Sequence, residues 1–181
     1  VRPIKNMAGG EDFNEVVFED VVVPKDRIVG EAGNGWAQVT SELAYERSGP
    51  ERFLSAFRVF VELVRFCGPE PTQYQATVIG RIASHIMTLR RMSISVAGML
   101  ESGKDVVVEA ALVKELGNNF EKLLPELARV VGSDGFSDFS RDGDLFRRTF
   151  EDTMLLSPSF TLRGGTREIL RGVIARGLGL R

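Results

Sequence analysis

Apolar residues recur at helical spacing over most of this chain, and only its N-terminal stretch departs from that pattern. From Trp36 to about Phe66 the stripe runs through Trp36, Val39, Leu43, Phe53, Phe57, Phe60, Val61 and Val64, as on one face of an amphipathic helix. Gly49-Pro50 lies inside this stretch and predicts a kink or a break, because proline lacks a backbone donor and crowds the preceding turn. Cys67–Thr72 reads as a loop, with Thr72 as N-cap of the next helix. Residues 73–102 form the second long helix, with Val78, Ile82, Ile86, Leu89, Ile94, Val96 and Leu100 on its apolar face. Residues 106–131 form a third, carried by Ala111, Leu112, Leu116, Phe120, Leu123, Leu124, Leu127 and Val131, with Pro125 placed to bend it. A polar connection from Gly132 to Gly143 precedes a shorter helix over 144–156. Ser157-Pro158-Ser159 and Gly164-Gly165 bracket a loop, and Thr166 caps a last helix, Arg167 to Arg176. The expected fold is mainly α: an up-down helical bundle of four to five helices preceded by a short β segment.

That segment is Phe13 to Val23, rich in valine and phenylalanine and ended by Pro24, with Pro24-Lys25-Asp26 as a turn and Ile28-Val29-Gly30 as a further extended piece. A lone strand leaves its backbone groups unpaired, and no partner strand is evident nearby. The expected division is therefore 1–32 as the last strands of a truncated β domain and 33–181 as the bundle. Without an initiating methionine, Val1 is expected not to be the biological N-terminus.

The 181 residues allow one or two domains with a real core. A net charge of −2 with dispersed basic residues argues against a nucleic-acid surface. No run is long and apolar enough to span a bilayer. One cysteine, Cys67, excludes an internal disulfide and fits a reducing compartment, here the cytoplasm. With His85 as the single histidine, a His/Cys metal site is excluded, so no metal is expected. His85 is also the sole base open to a serine or cysteine triad, a weak prospect. His85 and Cys67 are expected to be ordinary helix and loop or core residues, and Trp36 a core anchor.

The least bundle-like stretch is Glu42-Leu43-Ala44-Tyr45-Glu46-Arg47-Ser48-Gly49-Pro50-Glu51-Arg52. It sets a carboxylate beside an arginine, where a packing helix would prefer leucine or alanine. The plain reading makes Glu46, Arg47, Glu51 and Arg52 a solvated face of paired charges, each pair of small value.

The order of features resembles the C-terminal half of an acyl-CoA dehydrogenase. Phe13 to Pro24 looks like the last strand of that family's middle β domain, and Gly33-Asn34-Gly35-Trp36 like the entry to its helical domain. Gly165-Thr166-Arg167-Glu168-Ile169-Leu170-Arg171 looks like its last-helix motif. The resemblance spans the chain, with specific ends and an unspecific centre. It implies an FAD-dependent oxidoreductase that removes a proton α to a thioester carbonyl while the β hydrogen leaves as hydride. Such a site must stabilise the enolate and tune a carboxylate base.

Most members keep that base just before Gly-Thr of the last helix, where this chain has Gly164. A minority keep it on the first helix of the C-terminal domain, directly before an arginine, the place of Glu46-Arg47. The resemblance therefore implies Glu46 as base, Arg47 as its positioning or screening partner, and Thr166, Arg167 and Glu168 near the flavin adenine. A plain threonine-capped helix explains the last three equally well. Arg65-Phe66-Cys67-Gly68-Pro69 is a degenerate echo of the family's Arg-x-x-Phe-Gly motif. Val131-Gly132-Ser133-Asp134-Gly135-Phe136 stands near the Gln-x-x-Gly-Gly-x-Gly stretch without its glutamine or paired glycines. Both motifs serve a neighbouring subunit's flavin. Their erosion resembles actinobacterial enzymes built from two different subunits, often acting on steroid side-chain thioesters. Implied partners are an acyl-CoA substrate, an electron-transfer flavoprotein or similar acceptor, and acyl-CoA dehydrogenase-like subunits in a homo- or hetero-oligomer (dimer or tetramer). The competing expectation is a non-catalytic module serving subunit association and half of a flavin site.

Overall fold

The computed structural model describes residues 1–133 and 141–180, leaving the side chains of Arg141 and Asp142 aside. The chain divides into two compact units, Val1–Glu42 and Leu43–Arg181.

The first unit carries a two-stranded antiparallel sheet, β1 (Arg2–Ile4) and β2 (Phe13–Glu15), in the register Arg2↔Glu15, Pro3↔Asn14 and Ile4↔Phe13. The first residues of the chain thus supply the partner strand that seemed missing. The expected strand to Val23 stops at Glu15; beyond it Val17, Phe18, Val22 and Val23 are exposed and in no regular element. Two strands alone lack the third strand or covering helix that would extend the ladder. Residues Lys25–Arg27 form a single 3-10 turn where a turn is expected. Helix α1 (Gly35–Ser48) begins in this unit, and its Trp36 is 81% exposed, not a core anchor.

The second unit holds the core. Gly49-Pro50 does break the first helical run: α1 ends at Ser48, a 3-10 turn covers Pro50–Arg52, and α2 (Phe57–Cys67) follows. Then come α3 (Gln73–Glu101), α4 (Val107–Val131), α5 (Arg141–Phe160) and α6 (Arg167–Gly177). Thr72 caps α3 as expected. Its hydroxyl accepts the Gln75 amide while the Gln75 side chain accepts the Thr72 amide, a reciprocal capping box. Pro125 lies within α4 without ending it.

Helix α5 is longer than expected and runs through Ser157-Pro158-Ser159 to Phe160. A proline forfeits one helical hydrogen bond, but here the last turn is anchored. Phe160 is buried, and its carbonyl accepts the Lys114 ammonium at 3.0 Å.

Helix α4 is the central element and packs against α2, α3, α5 and α6. Phe53, Val59, Leu63, Ile82, Leu89, Val113, Phe120, Leu124 and Phe146 fill the core around it. Gly117 lets the Pro50–Arg52 turn approach α4 closely. A Cβ there would collide with the Arg52 carbonyl oxygen and stand 3.3 Å from the Phe53 Cβ. Gly117→Ala is expected to lower stability by about 1–3 kcal/mol, read as a lower urea midpoint at unchanged slope.

Candidate functional site

Glu46 and Arg47 close α1, Arg52 lies in the turn after it, and Gly164-Gly165 form the turn before α6. More than a hundred residues of chain separate the two parts, yet they meet. The Arg47 Nε donates to the Gly164 carbonyl at 2.9 Å. A Cβ at Gly164 would lie 3.4 Å from the Glu46 Oε1 and 3.8 Å from the Arg47 Cγ. Positions 46 and 164 therefore open onto one space, and the carboxylate in it comes from Glu46. Gly164 adopts φ +65° and Gly165 φ +107°, conformations in which a side chain is strained.

Arg52 organises Glu46 from below. Its Nε donates to the Glu46 carbonyl at 2.9 Å, and its Nη2 pairs with the Glu46 Oε1. The Arg52 side chain is 9% exposed and that of Glu46 38%, so one partner is embedded and the other reaches towards solvent. Arg47 is buried too. Burial pushes its guanidinium below the ordinary arginine value, with Glu46 acting in the opposite sense. The two arginines are therefore not part of a solvated face: both are buried, each held by a backbone carbonyl, while Glu46 and Glu51 reach towards solvent.

Beneath this pair α4 presents a buried polar stripe that the periodicity did not reveal. Lys114 and Glu121 are both 0% exposed. The Lys114 ammonium donates to the Asn118 Oδ1 and to the Phe160 carbonyl. Glu121 accepts the Ser55 amide at 2.9 Å and the Arg163 Nη2 at 3.1 Å. Arg163 also donates to the Ser55 hydroxyl and lies 4.8 Å over the Phe160 ring. Burial pulls the Lys114 ammonium down to about 8, against the attraction of Glu121 and with Arg163 and Arg52 adding to the depression. Asn118 Nδ2 is buried with no hydrogen-bond partner among the described residues.

Thr166 takes the N-cap position of α6, but its hydroxyl accepts no helix amide. Its hydroxyl instead reaches the Glu168 carboxylate. That group is held below its ordinary value first by its own backbone amide and then by Thr166. Arg167 and Arg171 both donate to the Glu115 Oε1, at 3.0 and 2.9 Å. Burial pushes the Glu115 carboxyl up, but those hydrogen bonds outweigh it and hold the group below its usual 4.5. A depressed carboxylate stabilises the fold above its unfolded pKa, and that contribution is lost as pH falls through the folded value. Glu115→Gln is therefore expected to flatten the loss of thermal stability on acidification below 4.5, compared with wild type. Thr166 and Glu168 thus contact one another, Arg167 pairs with Glu115 on α4, and Glu168 is exposed.

Of the degenerate motifs, Arg65 lies in the last turn of α2 and pairs with the buried Glu62 at 2.9 Å. Asp134-Gly135-Phe136 lies outside the described residues. His85 stacks on Phe120 at 5.7 Å, and burial raises the Cys67 thiol. No helix among the described residues is long and apolar enough to cross a membrane.

The described chain is mainly helical, with the Glu46 carboxylate in the last turn of α1 facing the turn before α6. The family model "Acyl-CoA dehydrogenase, C-terminal domain" matches residues 33–179, and the chain belongs to the acyl-CoA dehydrogenase family. It is 30% identical over 185 residues to acyl-CoA dehydrogenase IpdE1 of Mycobacterium tuberculosis, covering 99% of this chain and 47% of the relative. It is 28% identical to IpdE1 of Mycolicibacterium smegmatis, covering 99% of this chain and 45% of that relative. For FadE34 of M. tuberculosis the identity is also 28%, over 98% of this chain and 24% of the relative. The chain thus spans less than half the length of these curated relatives. A solved acyl-CoA dehydrogenase of Mycobacterium smegmatis superposes with a TM-score of 0.72 at 21% identity, covering 91% of this chain and 44% of that one. The electron transferring flavoprotein structure of Acidaminococcus fermentans gives 0.72 at 22%, covering 90% of this chain and 43% of that one. At those identities the likeness is one of fold.

The family implies a flavin. The residues present fit one edge of such a group: Gly164 and Gly165 leave free the space beside Glu46 and Arg47 that side chains would fill.

Proposed function

We propose that this chain is the C-terminal part, 33–181 with the end of a β domain in 1–32, of a flavin-dependent acyl-CoA dehydrogenase acting on an acyl-CoA thioester. The observation that carries the reading is the shared space of positions 46 and 164, where a glycine faces the Glu46 carboxylate. Glu46 takes the α proton onto its carboxylate. Arg52 fixes the angle of that carboxylate through the Glu46 carbonyl and Oε1. Arg47 ties the end of α1 to the Gly164 carbonyl and keeps the base facing the glycine turn. Gly164 and Gly165 leave room for the reacting carbons. FAD bound there supplies the acceptor for the β hydrogen. Thr166, Arg167 and Glu168 at the start of α6 would lie near the flavin adenine, with further contacts from the β domain and a neighbour. The reoxidant is an electron-transfer flavoprotein or similar acceptor, and the site of action is the cytoplasm.

The eroded Arg65–Pro69 segment favours a heteromer with a second acyl-CoA dehydrogenase-like chain that supplies what this one lacks. A homotetramer with one flavin per subunit would contradict that.

The test is anaerobic mixing of the flavin-loaded, natural-length protein, with its partner subunit, against short, branched, long and steroid side-chain acyl-CoA thioesters. Bleaching of the flavin by at least one is expected. No bleaching by any would leave a module for subunit association.

A further inference from the structure

Lys114 is a fully buried amine that the proton transfer itself does not use. It sits on α4 with Asn118 and Glu121, at the helical spacing of the core residues Ala110, Val113 and Leu124. Among the described residues its ammonium pairs with no carboxylate directly, and it donates to the Asn118 amide oxygen and the Phe160 carbonyl. Phe160 is the last residue of α5, and the turn 161–165 starts from it. Four residues on, the Gly164 carbonyl holds Arg47, and its α-carbon faces the Glu46 carboxylate. The opposite side of the turn is clamped by Arg163 on Glu121 and Ser55. The turn is thus fixed at Phe160, Arg163 and Gly164, and Lys114 makes the first of these contacts from a site closed to solvent.

We infer that Lys114 is a positioning residue for the α-proton base, setting the height of the 161–165 turn beneath Glu46 through its hydrogen bond to the Phe160 carbonyl. This rests on the reading of Glu46 as base. The charged groups that act on Lys114 are Glu121 on its own helix, Arg163 in the turn, Arg52 after α1 and Glu46 on α1. Lowered to about 8, Lys114 loses its charge within the range of ordinary assays. A neutral amine holds the carbonyl less strongly, because hydrogen bonds from charged donors are about twice as strong as neutral ones. The positioning effect should weaken above that pH.

The test uses the flavin-loaded, natural-length protein with its partner subunit, as wild type, Lys114→Met and Lys114→Gln. Amide hydrogen exchange across 161–165 should accelerate about tenfold or more in Lys114→Met while α3 keeps its protection. The first-order bleaching rate, with the thioester that bleaches wild type fastest, should fall about 10–100-fold with half-saturation nearly unchanged. Lys114→Gln keeps a neutral donor. It should recover part of the protection and rate and lose the wild-type decline above about pH 8. If Lys114→Met does not fold, the Lys114→Gln pH profile decides: a decline identical to wild type overturns the role. Exchange that rises evenly through α4, α5 and α6, or not at all in 161–165, also overturns it. A wild type that bleaches with no thioester overturns instead the reading of Glu46, and the positioning role with it.

Discussion

Glu46→Gln is expected to slow flavin bleaching by an acyl-CoA about 10²–10⁴-fold, the range a positioned general base contributes, and to leave the fold in place. The substitution removes the group that takes the proton and little else. Glutamine keeps the length of the side chain and an amide oxygen that can still accept from the Arg52 Nη2. The Glu46 carbonyl, which receives the Arg52 Nε, is unaffected. The embedded Arg52 guanidinium keeps the Glu46 carbonyl and the Glu51 carboxylate, 3.5 Å from its Nε, so it is not left without acceptors or counter-charge. The urea midpoint should therefore move little while bleaching collapses. A parallel fall of both would make Glu46 a structural residue.

Glu121→Ala is expected to do the reverse and cost about 3–5 kcal/mol of stability, the range for breaking a buried ion pair from one side. Glu121 is fully buried, holds the Ser55 amide, pairs with Arg163 and provides the largest attraction on the buried Lys114. Without it, Lys114 must stay charged among arginines or release its proton. The penalty is a large share of an ordinary domain's total of about 5–15 kcal/mol. The cost should shrink above about pH 8, where Lys114 is already losing its charge. Urea unfolding of wild type and variant at neutral and alkaline pH reads both statements. An equal, small effect at each pH would mean that Glu121 is not the counter-charge of this cluster.

The helices were legible because their apolar stripes and stops are local. Thr72, Gly49-Pro50 and the stripe through Val78, Ile82 and Leu89 signal elements that need no distant partner. The β segment was legible in type but not extent: Val16–Val23 has strand residues, yet pairing depends on a neighbour the described chain does not supply. Pro158 misled because a proline with flanking serines resembles a loop, whereas the last turn of α5 is held by Lys114 from another helix. Trp36 misled because a large apolar residue at helical spacing resembles core, and it is exposed.

For the site, Glu46 and Gly164 could be paired only through family resemblance. Nothing local says that residues so far apart in sequence meet. Arg52 was visible as a charge, but its burial under Glu46 was not. Lys114, Asn118 and Glu121 carried the signal that was missed. They lie three and four residues apart in register with Ala110 and Leu124, so polar groups occupy core positions. Charged residues are almost never fully buried unless paired, and the pairing here runs to Ser55, Phe160 and Arg163, which periodicity cannot bring together.

The most direct measurement is anaerobic flavin bleaching in three proteins: wild type, Glu46→Gln, and Glu46→Gln with Gly164→Glu. A glutamate at 164 has its Cβ 3.4 Å from the position of the Glu46 Oε1, at a backbone strain of roughly 1–2 kcal/mol for φ +65°. Bleaching in wild type, its loss in Glu46→Gln and its partial return in the double variant is the predicted result. Equal bleaching in wild type and flavin-loaded Glu46→Gln would contradict the account and put the base on another residue or another chain.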